Sequence, residues 1–264
     1  MKKFLLAMTA VAAMTASASA ADLGARPYAK APPPIAPVFS WTGFYISGGA
    51  GGGVWEADTG IVNTFTGACI LCGFNQQQGG DGWFGTAAIG YDWQISPTWV
   101  FGIFGDGQWG SMKGTIQDQT ALVGGRINND ANYAAGVRLG YLVAPNVLSY
   151  VNAGWSGSHW KGTTLLNTAT GTPVGGVTNG FDRSGWFIGG GVENNLNFFG
   201  INAPGWFLKT EYRSAFYDTK NISELTTAGV PVGRDITFKP WVQTITTSIT
   251  YRFNWGGPPV AANY

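Results

Sequence analysis

The chain has 264 residues, a formal net charge of +1 and 11% charged side chains, well under the roughly 25% of a soluble globular domain. The near-neutral balance speaks against a nucleic-acid surface and against a strongly acidic one. Forty-one glycines and an aromatic share of 14% point instead to aromatic strands spaced by glycine.

Residues 1–20 read as an export signal. Lys2 and Lys3 give a positive start, Phe4 to Ala16 are mostly apolar, and Ala18-Ser19-Ala20 supplies a small-x-small cleavage site before Ala21. No Cys stands at that junction, so a lipid anchor is not expected. No later apolar run reaches the roughly 18 residues that a membrane helix needs. Residues 21–40 form a proline-rich periplasmic tail, extended and unable to enter a sheet between Arg26 and Val38. It reads as a spacer, with a peptidoglycan contact as the alternative.

From residue 41 to residue 253 the pattern changes to alternation of apolar and polar residues, the period of a strand. Trp83, Gly85, Ala87, Ile89, Tyr91, Trp93 and Ile95 make one face of the clearest segment, and Thr86, Asp92 and Gln94 stand on the other. Eight such segments are expected, at approximately 41–55, 82–95, 99–112, 131–143, 147–160, 184–196, 205–217 and 240–253. The connections alternate in length. Ser96-Pro97-Thr98, Ala144-Pro145-Asn146 and Asn197 to Pro204 are short, whereas 56–81, 113–130, 161–183 and 218–239 are long. Short periplasmic turns alternating with long extracellular loops are the mark of a closed antiparallel transmembrane β-barrel. Closure is required because lipid satisfies no backbone N–H or C=O at an open edge. A secreted β-sandwich also alternates, but does not explain the asymmetry of the connections. Residues 254–264 form an extension beyond the last strand.

Charges within the strands fall on one parity and are expected inside the barrel: Asp92, Asp106, Arg138, Glu193, Lys209, Glu211, Arg213 and Arg252. On the lipid face an Arg or Lys would cost roughly 2–4 kcal/mol at the midplane. An interior of about eight strands is only wide enough for side chains to fill, so these charges read as a salt-bridged plug, and a narrow charge-lined solute path is the sharper reading. Trp41, Trp83, Trp99, Trp155, Trp206 and Trp241 lie near segment ends and read as membrane-interface anchors, their rings apolar and their N–H polar.

The motifs that carry chemistry elsewhere are weak here. Cys69 and Cys72 form a lone Cys-x-x-Cys without a surrounding βαβ pattern, so a small disulfide in the first long loop is expected in an exported protein. His159 is the one histidine; a metal site would need more ligands than it and these cysteines provide. Ser156 and Ser158 are of opposite strand parity to His159, which argues against a serine–histidine enzyme. The glycines at 48–53 lie within an aromatic strand and precede no helix, so they do not make a phosphate loop. No cofactor, metal or catalytic residue is expected.

Four stretches carry a resemblance. They are Ala21-Asp22-Leu23 leading through the tail to Trp41-Thr42-Gly43-Phe44-Tyr45; Gly185-Trp186 through Gly189-Gly190-Gly191-Val192-Glu193; Lys209-Thr210-Glu211-Tyr212 with Tyr217-Asp218; and Tyr251-Arg252-Phe253. In these the chain resembles the small outer-membrane β-barrel proteins of alphaproteobacteria described as outer-membrane immunogenic or porin-family proteins. The resemblance implies an eight-stranded, surface-exposed barrel and no single activity: some members are treated as porins, others as structural or antigenic proteins, and haem binding has been proposed for relatives. No residues here match a haem site. The family commonly ends on its terminal aromatic, whereas Phe253 is followed by Asn254 to Tyr264. The expected partners are outer-membrane lipid, lipopolysaccharide and the barrel-assembly machinery through the C-terminal strand. The expected role is structural and surface-exposed, with a narrow porin or a loop-mediated adhesin as alternatives.

Overall fold

The computed structural model describes residues 40–253, the side chains of 72–75 excepted. The export signal, all but the last residue of the proline-rich tail, and the C-terminal extension lie outside the described residues. Eleven strands form one antiparallel sheet: β1 (Gly43–Asn63), β2 (Cys69–Gln94), β3 (Trp99–Asp118), β4 (Val123–Ala144), β5 (Val147–Lys161), β6 (Thr164–Asn167), β7 (Pro173–Val177), β8 (Phe181–Asn195), β9 (Trp206–Tyr217), β10 (Lys220–Thr226) and β11 (Pro231–Arg252).

Eight of them close a ring in the order β1-β2-β3-β4-β5-β8-β9-β11, and β11 pairs back onto β1 from Tyr45↔Arg252 to Asn63↔Arg234. The register fixes the barrel's shape. A circuit that follows paired residues from Asp92 through Gly102, Arg138, Asn152, Gly189, Arg213, Thr244 and Gly53 returns to β2 at Gly82, ten residues from its start. With strands about 4.8 Å apart and about 3.3 Å per residue, that stagger tilts them by about 40°.

The outward aromatics measure the membrane. Trp83 and Trp93 on β2, Trp99 and Trp109 on β3, Trp206 and Phe216 on β9, and Trp241 and Tyr251 on β11 each stand ten residues apart along their own strand. At this tilt ten residues rise about 25 Å, the height of an outer-membrane barrel's apolar band. Between the girdles the outward face carries Ile89, Ile103, Val137, Leu139, Val151, Ile188, Ile245 and Ile249.

Beyond the outer girdle the strands continue, so the long connections are largely strand rather than loop. Along β3 the outward residues run Trp99, Phe101, Ile103 to Trp109 and then turn polar at Ser111, Lys113, Thr115 and Gln117. The inward residues change the other way, from Asp106 and Gln108 to Met112 and Ile116. Water replaces lipid around the wall at that height, so the apolar face must move inside to give the wall a core. Three short strands complete this outer section: β4 pairs with β6, β6 with β7, β7 with β10 and β10 with β11. There β6, β7 and β10 take the places held lower down by β5, β8 and β9. The core they enclose includes Trp55, Trp160, Phe181, Phe238, Ile116, Ile127 and Ile236. The rings of Trp55 and Trp160 lie 5.2 Å apart, edge to face.

Candidate functional site: the barrel interior

All eight charges expected inside the barrel lie there, in two networks. In the lower one Arg138 donates from Nε to Asp92 at 2.8 Å and from Nη1 to Glu193 at 3.2 Å, and its Nη2 also pairs with Asp92. Arg252 meets the same two carboxylates, Nη1 to Asp92 at 2.7 Å and Nε to Glu193 at 2.9 Å. Two arginines and two acids thus form a closed square without net charge. Aromatic rings floor and roof it, with the Arg138 guanidinium 4.5 Å from the Tyr45 ring and that of Arg252 4.5 Å from the Trp41 ring. Two glycines make room. A Cβ at Gly102 would stand 2.0 Å from the Asp92 carboxylate, and one at Gly90 would stand 2.3 Å from the Tyr45 hydroxyl.

The second network belongs to β3 and β9. Arg213 holds Asp106 through both terminal nitrogens, at 2.9 and 2.6 Å, and reaches Glu211 at 2.8 Å. Glu211 also accepts from the Tyr150 hydroxyl at 2.8 Å and lies 3.8 Å from Lys209. This set is neutral too. The arc of wall that joins β9 to β3 through β11, β1 and β2 carries small residues, Thr246, Ser248, Ser47, Thr86 and Ala88, which leave a polar cleft of about 10 Å³ beside the network. That volume suits about one water molecule.

Apolar layers bound the charges on both sides. Toward the periplasm they are covered by Trp41, Val100, Leu148, Tyr150 and Phe207, and toward the outside by the core that begins at Phe84 and Phe187, while Phe104 stands on the periplasmic side of Asp106. Trp41 therefore corrects an expectation. It is 1% exposed, its ring is 5.0 Å from that of Phe207, and it plugs the lumen instead of anchoring at the interface. Its parity is that of Tyr45, which faces inward, while Phe44 and Ile46 face out. Trp83, Trp99, Trp155 and Trp206 are exposed on the outer wall, and Trp241 is partly so, its indole N–H donating to Ser214 at 2.6 Å. Trp93, Trp109 and Trp186 join them there, and their outward parity was the signal that names them.

The remaining candidates separate. His159 lies on the outer face with Nδ1 at 2.7 Å from Asp182, whereas Ser158 is buried and Ser156 meets the Tyr217 hydroxyl at 2.8 Å inside. Nucleophile and base are thus on opposite sides of the wall. Cys69 is disulfide-bonded and opens β2, so it stands on a strand and not in a loop; the side chain of Cys72 lies outside the described residues. The glycines at 48–53 are strand throughout.

One cluster has no counterpart in the sequence reading. At the outer mouth Asp118 of β3, Glu224 of β10 and Asp235 of β11 are all buried. Asp118 accepts from Arg234 Nε at 2.8 Å, from the Thr120 hydroxyl and from the backbone N–H groups of Thr120 and Ala121. Burial pushes its carboxyl up, but these donors outweigh it and hold Asp118 below the usual range. Glu224 goes the opposite way. Burial and the neighbouring Asp118 charge raise it to about 7.

A closed antiparallel ring with an apolar band between aromatic girdles and charges confined to its interior defines a transmembrane β-barrel of the outer membrane. No family model matches the chain. It is similar to the 31 kDa outer-membrane immunogenic protein of Brucella melitensis biotype 1, 26% identical over 231 residues that cover 85% of this chain and 91% of that protein. The 25 kDa outer-membrane immunogenic protein of Brucella canis is 27% identical over 229 residues, covering 84% and 87% respectively. Among solved structures, Ail, the attachment invasion locus protein of Yersinia pestis, matches at 11% identity with a TM-score of 0.34, covering 80% of this chain and 99% of Ail. The relatives' names place them in the outer membrane and state no activity. This chain is likewise an outer-membrane surface protein.

Proposed function

We propose that the protein is a closed, non-conducting barrel whose role in the envelope is structural and surface-exposed, its outer section serving as a rigid pedestal for four hairpin ends. The supporting observation is the filled interior, two neutral charge networks clamped between apolar layers. In this reading β11 is the strand offered to the barrel-assembly machinery, and the outer wall is solvated by lipopolysaccharide. The test is single-channel conductance of the refolded protein in planar bilayers, beside Arg138→Ala and Glu211→Gln. A silent wild-type protein is expected. Reproducible openings whose selectivity shifts in either variant would instead make it a narrow porin.

A second reading, ligand binding through the outer ends, is favoured by apolar side chains left in water. Phe65 and Val230, at the ends of the first and last outer hairpins, are 75% and 58% exposed. A Phe65→Ser/Val230→Ser variant that folds normally yet loses surface binding by intact cells would support this reading; unchanged binding would remove it.

A further inference from the structure

The inner aromatic girdle has a gap. Outward aromatics mark the periplasmic ends of β1 (Phe44), β2 (Tyr91, Trp93), β3 (Trp99, Phe101), β4 (Tyr141), β9 (Trp206) and β11 (Tyr251). Their rings touch along the wall, as at Phe44–Tyr91 (4.7 Å), Trp99–Tyr141 (5.3 Å) and Trp206–Tyr251 (5.0 Å). β5 and β8 have none at this level: their outward residues are Val147, Ser149 and Val151, and Gly190, Val192 and Asn194.

The gap is where the longest periplasmic connection leaves the wall. After β8 the chain makes a 3-10 turn at Leu196–Phe199 and reaches β9 at Trp206. This turn is locally braced. The Asn195 side chain accepts from the Asn197 N–H at 2.8 Å, and the Asn197 side chain accepts from the Ala203 N–H at 3.2 Å. Gly200 closes the turn at φ 79°, its N–H donating to the Asn197 carbonyl at 3.0 Å. Upon this frame stand Phe198, Phe199 and Ile201, 65%, 49% and 53% exposed, with the two phenyl rings edge to face at 5.2 Å. Three large apolar side chains held in water on a fixed turn forgo the gain that burial would give them.

We propose that this turn folds against the inner leaflet of the outer membrane and that Phe198, Phe199 and Ile201 complete the girdle across β5 and β8. The occupant of the apolar patch is the headgroup–acyl boundary of the phospholipids, continuous with the lipid already met by Trp206 and Tyr251. Aromatic and aliphatic side chains partition to that depth, and the bracing of the turn presents them without a further ordering cost. It also gives the connection a reason for its length, since the other two inner turns join their strands in a few residues.

The test places single spin labels on Phe198→Cys and Ile201→Cys variants of the protein refolded in phospholipid bilayers, with Cys69 left in its disulfide. Ile188→Cys on the lipid band and Asn202→Cys, at an exposed polar residue of the same connection, serve as references. Labels at 198 and 201 are expected to show an oxygen-to-nickel-chelate accessibility ratio several-fold above that at 202 and approaching that at 188. A ratio equal to that at 202 overturns the proposal by placing the turn in water. Protection from both reagents overturns it too, by showing the patch covered by protein. The label at 188 reports separately whether the barrel itself spans the bilayer.

Discussion

Arg138 and Arg252 face the same two carboxylates, so removing one cation leaves an uncompensated charge in a dry interior. Breaking a buried pair in this way costs about 3–5 kcal/mol, more than the pair itself contributes over an apolar filling. Arg138→Ala is expected to lower the stability of the refolded barrel by that amount in urea titrations. Arg138→Met combined with Asp92→Leu should cost less than the single change, because Arg252 and Glu193 remain as a neutral pair. Equal costs would show that the square does not act as a unit. Glu224 makes the outer mouth respond to pH. Its carboxyl is raised from 4.5 to about 7, chiefly by burial and then by Asp118, while Arg234 opposes the shift. A raised acid binds its proton more tightly in the folded state, so its contribution is greatest below pH 4.5 and is lost as pH rises toward 7. Because the mouth borders water, the expected loss is about 1–2 kcal/mol, read from faster amide exchange in β10 after correction for intrinsic rates. Glu224→Gln should abolish that dependence; a pH-dependent variant would assign it elsewhere.

Tryptophans separate by the face of the strand that carries them. Trp41→Ala removes a ring packed on Phe207 and over Arg252 and should cost about 3–5 kcal/mol. Trp99→Ala removes a half-exposed interface ring whose ring contact is with Tyr141, and should cost only about 1 kcal/mol. Comparable urea midpoints for the two would reverse these assignments. Strand parity made this distinction legible beforehand: Trp41 shares the parity of Tyr45, and position near a strand end misled because a barrel's mouth needs plugging as well as anchoring. The same parity placed Asp92, Asp106, Arg138, Glu193, Lys209, Glu211, Arg213 and Arg252 on the inner wall. Their partners were not legible, since Arg138 and Asp92 are 46 residues apart and only the register of β2, β3 and β4 brings them together. The outer strands escaped notice for a different reason. The alternation does not stop at Trp109 or Trp241 but changes phase, with Thr237 and Lys239 outward and Ile236 and Phe238 inward on β11. A search for apolar-out alternation loses the signal where water replaces lipid.

At the scale of the molecule that phase change joins two barrels of opposite design through continuous strands. The lower is held by lipid outside and ion pairs inside, the upper by a hydrophobic core of the kind found in soluble proteins. Backbone pairing is shared, since β11 meets β1 without a break from Arg252 to Arg234. Stability should therefore extend well beyond the membrane. Amides of Ile61, Ile116, Ile127 and Ile236, all buried and all above the outer girdle, should exchange as slowly as those between the girdles. Above the outer girdle, the fastest exchange should fall at the hairpin ends at 64–68, 119–122, 168–172 and 227–230. Residue-resolved hydrogen exchange in lipid nanodiscs distinguishes this pedestal from four mobile loops. Loops would exchange throughout 56–81 and 218–239 within seconds, and the hairpin ends would then have no fixed frame from which to present a surface.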